Sequence, residues 1–147
     1  MAFSETLTNT VINGLRQLHC IEQMSSGEPK YWEVGVKSQR VRRNAYEKQQ
    51  MDNEAERSKK EAYLDIVDLE EIVKDKDNWS YFEHLFKNPM PDERHGQKYY
   101  LSWLDKFNGL RKIAAHRNQE KIYSPEQLEF FQWLNESVIS KFDSGLN

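Results

Sequence analysis

The stretch QKYYLSWLDKFNGLRKIAAHRN, residues 97–118, carries the clearest hydrophobic periodicity in the chain. Apolar residues recur there at steps of three and four, which places them on one face of a helix: Tyr100, Trp103, Leu104, Phe107, Leu110 and Ala114. Asn108 and Arg111 lie along the edge of that face, and His116 follows Arg111 by five residues. We therefore expect a central helix that packs by its apolar face and carries polar residues beside it.

The N-terminal residues predict another amphipathic helix. We expect it to begin after Ser4 as N-cap and to reach about Gln23. Its apolar face contains Leu7, Val11, Leu15, Leu18 and Ile21.

Near the other end of the chain, Ser124, Pro125 and Gln127 have the spacing of a well-capped helix start. The predicted buried stripe of this last helix contains Leu128, Phe131, Leu134, Val138 and Phe142, with Phe130, Trp133 and Ile139 beside it. Because the connection to the central helix is short, we expect the two helices to pack antiparallel.

The middle of the chain completes an all-α pattern. Residues 37–60 are almost wholly polar and contain neither Gly nor Pro, so they predict a partly exposed helix, or a helix followed by a mobile stretch. Residues 63–87 predict two shorter helices, the first capped by Asp65 or Asp68. We therefore expect a bundle of four main helices plus short helices in one domain, residues 1–147. Residues 1–62 would form its helical N-terminal part, and residues 63–142 the core that carries the central helix.

Composition limits the possible functions. The net charge of −3 gives no global basic field, so any contact with nucleic acid must be local. A single cysteine, Cys20, excludes an internal disulfide framework and suits a reducing cytosol. The N-terminus lacks the basic segment and apolar run of a signal peptide, and no stretch is long and apolar enough to span a membrane. We therefore expect a cytoplasmic protein with no membrane partner.

A basic cluster at the start of the polar segment has two interpretations. Lys37, Arg40, Arg42 and Arg43 are suited to contact phosphate groups. Alternatively, they belong to a solvated helix face that is balanced by nearby acidic residues, Glu47, Asp52, Glu54 and Glu56. We favour the second interpretation.

We expect no metal ion and no cofactor. A metal site needs clustered His, Cys or carboxylate ligands at suitable spacing. The histidines share neither HxxxH nor HxxH spacing: His19, His84, His95 and His116. The sequence also contains no Gly-rich phosphate loop and no nucleophile elbow.

The polar residues of the central helix form the best candidate site. On an ideal helix Asn108 and Arg111 share a stripe, whereas His116 lies about 140° around the axis from Arg111. One straight helix therefore does not bring the tips of Arg111 and His116 together. Either the helix bends at its end, or two copies of it face each other across a two-fold axis. Gly109 would allow another backbone to approach closely.

The segment NGLRKIAAHRN resembles the signature of the HEPN superfamily, in which an Arg is followed, after four residues, by a His late in a long helix of an all-α domain. Asn108 and the pair Ala114 and Ala115 also fit the family's segment. Upstream, YLDIVDLEEIVKDKDNWSYFEHLF is similar to HEPN domains associated with prokaryotic defence proteins. The resemblance covers roughly residues 63–138.

The resemblance implies a metal-independent endoribonuclease that works through a composite site in a homodimer. Arg111, His116 and Asn108 would then be catalytic: Arg111 holds the scissile phosphate, His116 transfers a proton, and Asn108 orients one of them. Lys112 and Arg117 would bind flanking phosphates of the RNA. The implied setting is a toxin or antiviral defence effector, with a protein partner in a defence or toxin–antitoxin system.

Two alternatives stay open at the level of sequence. Active family members often carry Asn, Asp or His directly after the Arg, whereas this chain has Lys112. This departure favours a non-catalytic HEPN-like module that dimerises or binds RNA within a larger defence assembly. In an unrelated helical domain, Arg111 would instead pair with a carboxylate and His116 would cap its own helix.

Overall fold

The computed structural model describes residues 2–19, 31–91, 100–116 and 123–145, with the backbone alone described at residues 2, 113–116 and 145. Every regular element within these ranges is helical, which confirms the predicted all-α fold class. Contacts divide the chain into two compact units, Met1–Phe82 and Glu83–Asn147. The organisation as a single domain stays a prediction.

The first unit contains α1 (Ala2–Leu18), α2 (Tyr31–Gly35), α3 (Gln39–Met51), two 3-10 turns (Glu54–Glu56 and Lys60–Tyr63), α4 (Ile66–Lys74) and most of α5 (Lys76–Phe86). The second unit contains the end of α5, α6 (Ser102–His116), α7 (Pro125–Trp133), a π-helical turn (Leu134–Ile139) and α8 (Ser140–Gly145). The predicted central helix is therefore α6, and the predicted last helix is the continuous run from α7 to α8.

Helix α1 buries the predicted face, with Leu7, Val11 and Leu15 fully enclosed. The predicted start is wrong, because the helix begins at Ala2 and Ser4 lies inside it. Extending the helix to Ala2 places Phe3 in the core, and this burial outweighs the capping preference of Ser4. The helix ends at Leu18, and the predicted continuation beyond His19 lies outside the described residues.

A buried amide ties the helices of the first unit together. The side chain of Asn78 is completely buried, and its Nδ2 donates to the carbonyl oxygens of Gly35 and Ile72, each at 2.9 Å. Its Oδ1 lies 3.0 Å from Nε2 of His19, which is also buried. All three contacts give hydrogen-bond partners to polar groups whose burial would otherwise lower the stability of the fold.

Of the two predictions for residues 37–60, a helix over the whole segment is wrong; a shorter helix is present, and the mobility of the stretch after it stays a prediction. Ser38 caps α3 by accepting a hydrogen bond from the Val41 backbone N–H, and the helix stops at Met51. Beyond it, the Arg57 side chain donates to the carbonyl oxygen of Asp52, while the Tyr63 hydroxyl donates to the Asp52 carboxylate. These side-chain contacts compete with further helix, so propensity alone overestimated its length.

Two of the four cations of the basic cluster form ion pairs within their own unit, and a third is held by hydrogen bonds. Lys37 pairs with Asp75 and Asp77, and Arg40 pairs with Glu71. Arg42 donates to backbone carbonyl oxygens, among them that of Glu33 at 3.1 Å. The acidic partners come from α4 and the start of α5, not from the nearby residues that the sequence suggested. This supports a structural role for the cluster.

The apolar face of α6 is anchored by Trp103, which is fully buried. Its indole N–H donates to the carbonyl oxygen of Phe86, the last residue of α5, at 2.9 Å. The Trp103 and Phe86 rings both pack against Phe142, with centroid distances of 6.2 and 5.0 Å. The described part of α6 is therefore fixed by one directional bond and one aromatic cluster.

Asn88 reinforces this anchor after the end of α5. Its backbone N–H donates to the carbonyl oxygen of Tyr100 at 3.0 Å, and its Nδ2 donates to the carbonyl oxygen of Leu85 at 2.7 Å. Lys141 donates to the Asn88 Oδ1 at 2.6 Å, and burial lowers the pKa of Lys141 below its usual value.

The start of α7 is as predicted. The Ser124 side chain accepts from the Gln127 backbone N–H at 3.2 Å, and the Gln127 side chain accepts from the Ser124 backbone N–H at 2.9 Å. Pro125 occupies the first turn.

The predicted buried stripe is wrong in the first part of this run. Its buried residues are Phe130, Leu134, Val138 and Phe142, whereas Leu128 is 55% exposed. A π-helical turn takes more residues per turn than an α-helix, so it changes which residues share a face. Through the π-helical turn at Leu134–Ile139, residues four apart therefore stay on the buried side, as Leu134 and Val138 do.

Contacts between α6 and the C-terminal run occur in opposite order along the two segments. Trp103 contacts Phe142, while Lys106, farther along α6, lies over the ring of Phe130, which is earlier in the C-terminal run. An antiparallel pair requires this order. In the part of the chain that the structure describes, no helix is both long and apolar enough to cross a membrane.

We predict opposite effects of two glycine substitutions on stability. A Cβ at Gly14 would lie 2.5 Å from Cε1 of Phe82, whose side chain is fully buried. Gly14→Ala should therefore lower the free energy of unfolding by about 1–3 kcal/mol. Gly109→Ala is the matched control, because its added Cβ lies more than 4 Å from every other described segment of the chain. It should raise stability by about 0.4–1 kcal/mol through helix propensity. Urea denaturation of both variants tests this, and equal destabilisation would contradict the packing at Gly14.

Candidate functional site

Helix α6 places Asn108 at the boundary between the core and the surface. Leu104, one turn earlier, is fully buried, and Phe107 and Leu110 are almost so. Asn108 lies between these positions and is only 7% exposed, so its amide is removed from most solvent. A polar group in such a place needs a hydrogen-bond partner.

Arg111 supplies that partner. Its Nη2 donates to Oδ1 of Asn108 at 3.1 Å, across one turn of the helix. This confirms that the two side chains lie together, as their three-residue spacing predicts. An amide oxygen accepts a hydrogen bond but carries no net charge, so the positive charge of Arg111 is not neutralised by this contact.

The Arg111 guanidinium has unused donor capacity. Its Nε is buried and has no hydrogen-bond partner. None of the carboxylates in the described ranges lies within ion-pair distance of Arg111, in contrast to the carboxylate partner that a purely structural role predicts. A half-buried cation with an unsatisfied N–H has the chemistry to accept an anion.

The surface next to Arg111 is open. Gly109 is exposed, and a Cβ at this position would meet no atom of another described segment within 4 Å. Lys112 is exposed as well, and its ammonium has no ion-pair partner among residues whose side chains are described. The other described glycines differ, since Gly14 and Gly35 are each packed against a neighbouring side chain.

The remaining predicted site residues lie at or beyond the end of α6. His116 is the last residue of the helix, but its side chain lies outside the described residues. Arg117 lies outside them entirely. The expected meeting of His116 with Arg111 therefore stays a prediction. Over the described ranges, no group of three or more His, Cys, Asp or Glu side chains is placed to hold a metal ion.

A concave surface in the same unit was not predicted from the sequence. We call it the aromatic groove: a cavity of about 330 Å³ lined by Met90, Lys106, Glu126, Glu129, Phe130 and Trp133. The sequence analysis assigned Trp133 to the buried side of its helix. The spacing of Glu126, Glu129 and Trp133 at steps of three and four was the available signal, because it places them on one helix face.

No protein-family model, curated protein or solved structure matches this chain.

We predict that Asn108 and Arg111 are energetically coupled. Asn108→Leu removes the acceptor and leaves a half-buried guanidinium unsatisfied, so it should cost about 1–3 kcal/mol of unfolding free energy. In the double variant Asn108→Leu, Arg111→Met, both polar partners are gone, and the cost should be smaller than the sum of the single costs by roughly 0.5–3 kcal/mol.

Urea denaturation of the wild type, Asn108→Leu, Arg111→Met and the double variant measures this coupling. Lys112→Met is the control, and as an exposed substitution it should change stability by less than about 0.5 kcal/mol. Strictly additive costs would show that the Asn108–Arg111 contact contributes nothing.

Proposed function

We propose that the chain is a metal-independent endoribonuclease of the HEPN type. The observation that supports this most is the state of Arg111: a half-buried cation, positioned by a buried amide, with one N–H unsatisfied. In a structural ion pair that N–H and that charge would already be satisfied. A positioned cation with no carboxylate partner among the described residues is suited to a ligand that brings its own negative charge.

The phosphodiester group of RNA fits these requirements. The planar guanidinium presents its N–H groups as a fork that matches two oxygens of a phosphate. Charge builds up on those oxygens as the phosphate is attacked, so a positioned Arg stabilises the transition state more than the ground state. Asn108 acts as a positioning residue, because it fixes the orientation of Arg111 without neutralising it.

The reaction that this arrangement supports is an internal transesterification. The 2′-oxygen of the RNA attacks the neighbouring phosphorus, and the bond from phosphorus to the 5′-oxygen breaks. The products are a 2′,3′-cyclic phosphate and a 5′-hydroxyl. His116 accepts the proton of the 2′-hydroxyl or donates one to the leaving oxygen, since its ordinary pKa lies near neutrality. DNA lacks the attacking hydroxyl and should resist cleavage.

The site is completed by a second copy of the chain. Five residues separate Arg111 from His116, which corresponds to about 140° around a straight helix, so the two residues of one chain diverge. The open surface at Gly109 supports a close approach of two α6 helices. In the homodimer, Arg111 of one copy and His116 of the other would then act on one phosphate. Lys112 and Arg117 would hold neighbouring phosphates.

The family resemblance suggests a toxin or an antiviral defence effector in the cytoplasm, restrained or directed by a protein partner. The second candidate function is a non-catalytic module that dimerises or binds RNA in a larger defence assembly. Lys112 favours it, because an exposed ammonium without an ion-pair partner in its described surroundings binds phosphate without contributing to cleavage.

Cleavage of mixed RNA in the presence of EDTA tests the proposal. The wild-type chain should produce 2′,3′-cyclic phosphate ends, and His116→Ala and Arg111→Met should each lose roughly 100-fold or more in rate. Lys112→Met is the control for general loss of RNA binding. It should keep the chemistry and require only more RNA for saturation.

The outcomes separate the two candidate functions. Equal cleavage by wild type and His116→Ala, or cleavage that EDTA abolishes, contradicts the proposed nuclease. RNA binding without cleavage, lost in Lys112→Met, assigns the chain to the non-catalytic module instead.

A further inference from the structure

The aromatic groove lies in the second unit and is distinct in composition from the surface around Arg111. One wall is a face of α7 that presents Glu126, Glu129, Phe130 and Trp133. The rest of the lining is Met90 and Pro91, which follow α5, and Lys106 of α6. Its volume of about 330 Å³ is at the small end of the range for ligand pockets, roughly 300–1,000 Å³.

The groove has an aromatic floor and a half-buried aromatic wall. Phe130 is 5% exposed, whereas Trp133 retains an exposed part. Their ring centroids are 5.9 Å apart and their planes are inclined by 30°. The ammonium of Lys106 lies 4.9 Å from the centroid of Phe130, so the face of that ring already has a cation of this chain. The indole of Trp133 has no such cation among the contacts of described residues.

The charges lining the groove do not balance. Glu126 and Glu129 contribute two carboxylates against the single ammonium of Lys106. Neither glutamate forms an ion pair with a described residue. Glu126 lies in the first turn of α7, where the helix dipole stabilises a carboxylate. Glu129 lies a full turn farther along, beyond the reach of that effect, and is the carboxylate with neither a helix dipole nor an ion-pair partner among the described residues.

We propose that the aromatic groove binds an arginine side chain from an extended segment of a partner protein. A guanidinium is planar and weakly hydrated, so it stacks on the exposed part of Trp133 while it donates two hydrogen bonds to Glu129. Its single positive charge neutralises the one negative charge in excess. Nucleic acid is disfavoured, because its phosphates would approach the two carboxylates.

Arginine fits better than lysine for a geometrical reason. The compact ammonium of a lysine cannot stack on an indole and form a forked contact with a carboxylate at the same time. The inference does not depend on the reaction at Arg111, since neither Asn108 nor Arg111 lines the groove. It gives the second unit a surface for a basic peptide in addition to its surface for an anion.

Titration of the full-length, ¹⁵N-labelled protein with a blocked Gly-Arg-Gly peptide tests the proposal. The signal to follow is the indole N–H resonance of Trp133, identified by its loss in Trp133→Phe. The other three tryptophans report whether each variant stays folded. The same peptide with citrulline in place of arginine is the matched control, because citrulline keeps the shape and lacks the charge.

We expect a saturable shift of the Trp133 resonance with the arginine peptide and at least roughly tenfold weaker binding of the citrulline peptide. Glu129→Gln should weaken binding of the arginine peptide by about 3- to 30-fold. Glu136→Gln removes an exposed carboxylate of the same C-terminal run outside the groove and should change it by less than about twofold.

Three results would overturn the proposal. The citrulline peptide binds as well as the arginine peptide, or Glu129→Gln binds like wild type, in which case charge recognition is absent. Alternatively, a single-stranded RNA oligonucleotide shifts the Trp133 resonance and the arginine peptide does not, which makes the groove a nucleic-acid site.

Discussion

The hydrogen bond from the Trp103 indole to the last carbonyl of α5 is the contact on which the described second unit depends. Helix ends leave carbonyl groups without partners, and here a fully buried side chain from the next helix satisfies one of them. The aromatic cluster with Phe86 and Phe142 then gives α6 a fixed rotation about its axis. Because the helix cannot rotate without exposing these rings, the positions of its polar residues are fixed too.

That rotation gives the candidate site its character. It places Asn108 in a buried position next to the surface and leaves Arg111 half-buried. Burial strengthens the Asn108–Arg111 hydrogen bond, because the local dielectric constant is lower than in water. Among the described residues, no carboxylate lies near enough to Arg111 to form an ion pair with it. The open face at Gly109 leaves room beside this pair for a second molecule. Packing, electrostatics and access thus combine at one edge of one helix.

Short-range sequence patterns correctly predicted the features that depend on residues close together in the sequence. Hydrophobic spacing located α6, and Ser124 with Gln127 located the start of α7, because both depend on residues within one or two turns. Contacts from elsewhere decided what was predicted wrongly. Burial of Phe3 moved the start of α1, and contacts of Arg57 accompany the end of α3. The π-helical turn after α7 changes which residues of α7 share a face with the buried residues that follow. The pairing of Asn108 with Arg111 follows from their spacing. The burial of Asn108 and the aromatic groove do not, since they depend on α6 packing and on Met90.

The most direct test of the role of Arg111 is the NMR signal of its Nε–H group in the presence of RNA that cannot be cleaved. RNA with 2′-O-methyl groups keeps the phosphates and lacks the attacking hydroxyl. If Arg111 holds the scissile phosphate, its Nε–H resonance should shift downfield on saturation, as an unsatisfied donor acquires a charged acceptor. An Nε–H resonance that stays unchanged while the RNA binds would show that phosphate recognition lies elsewhere.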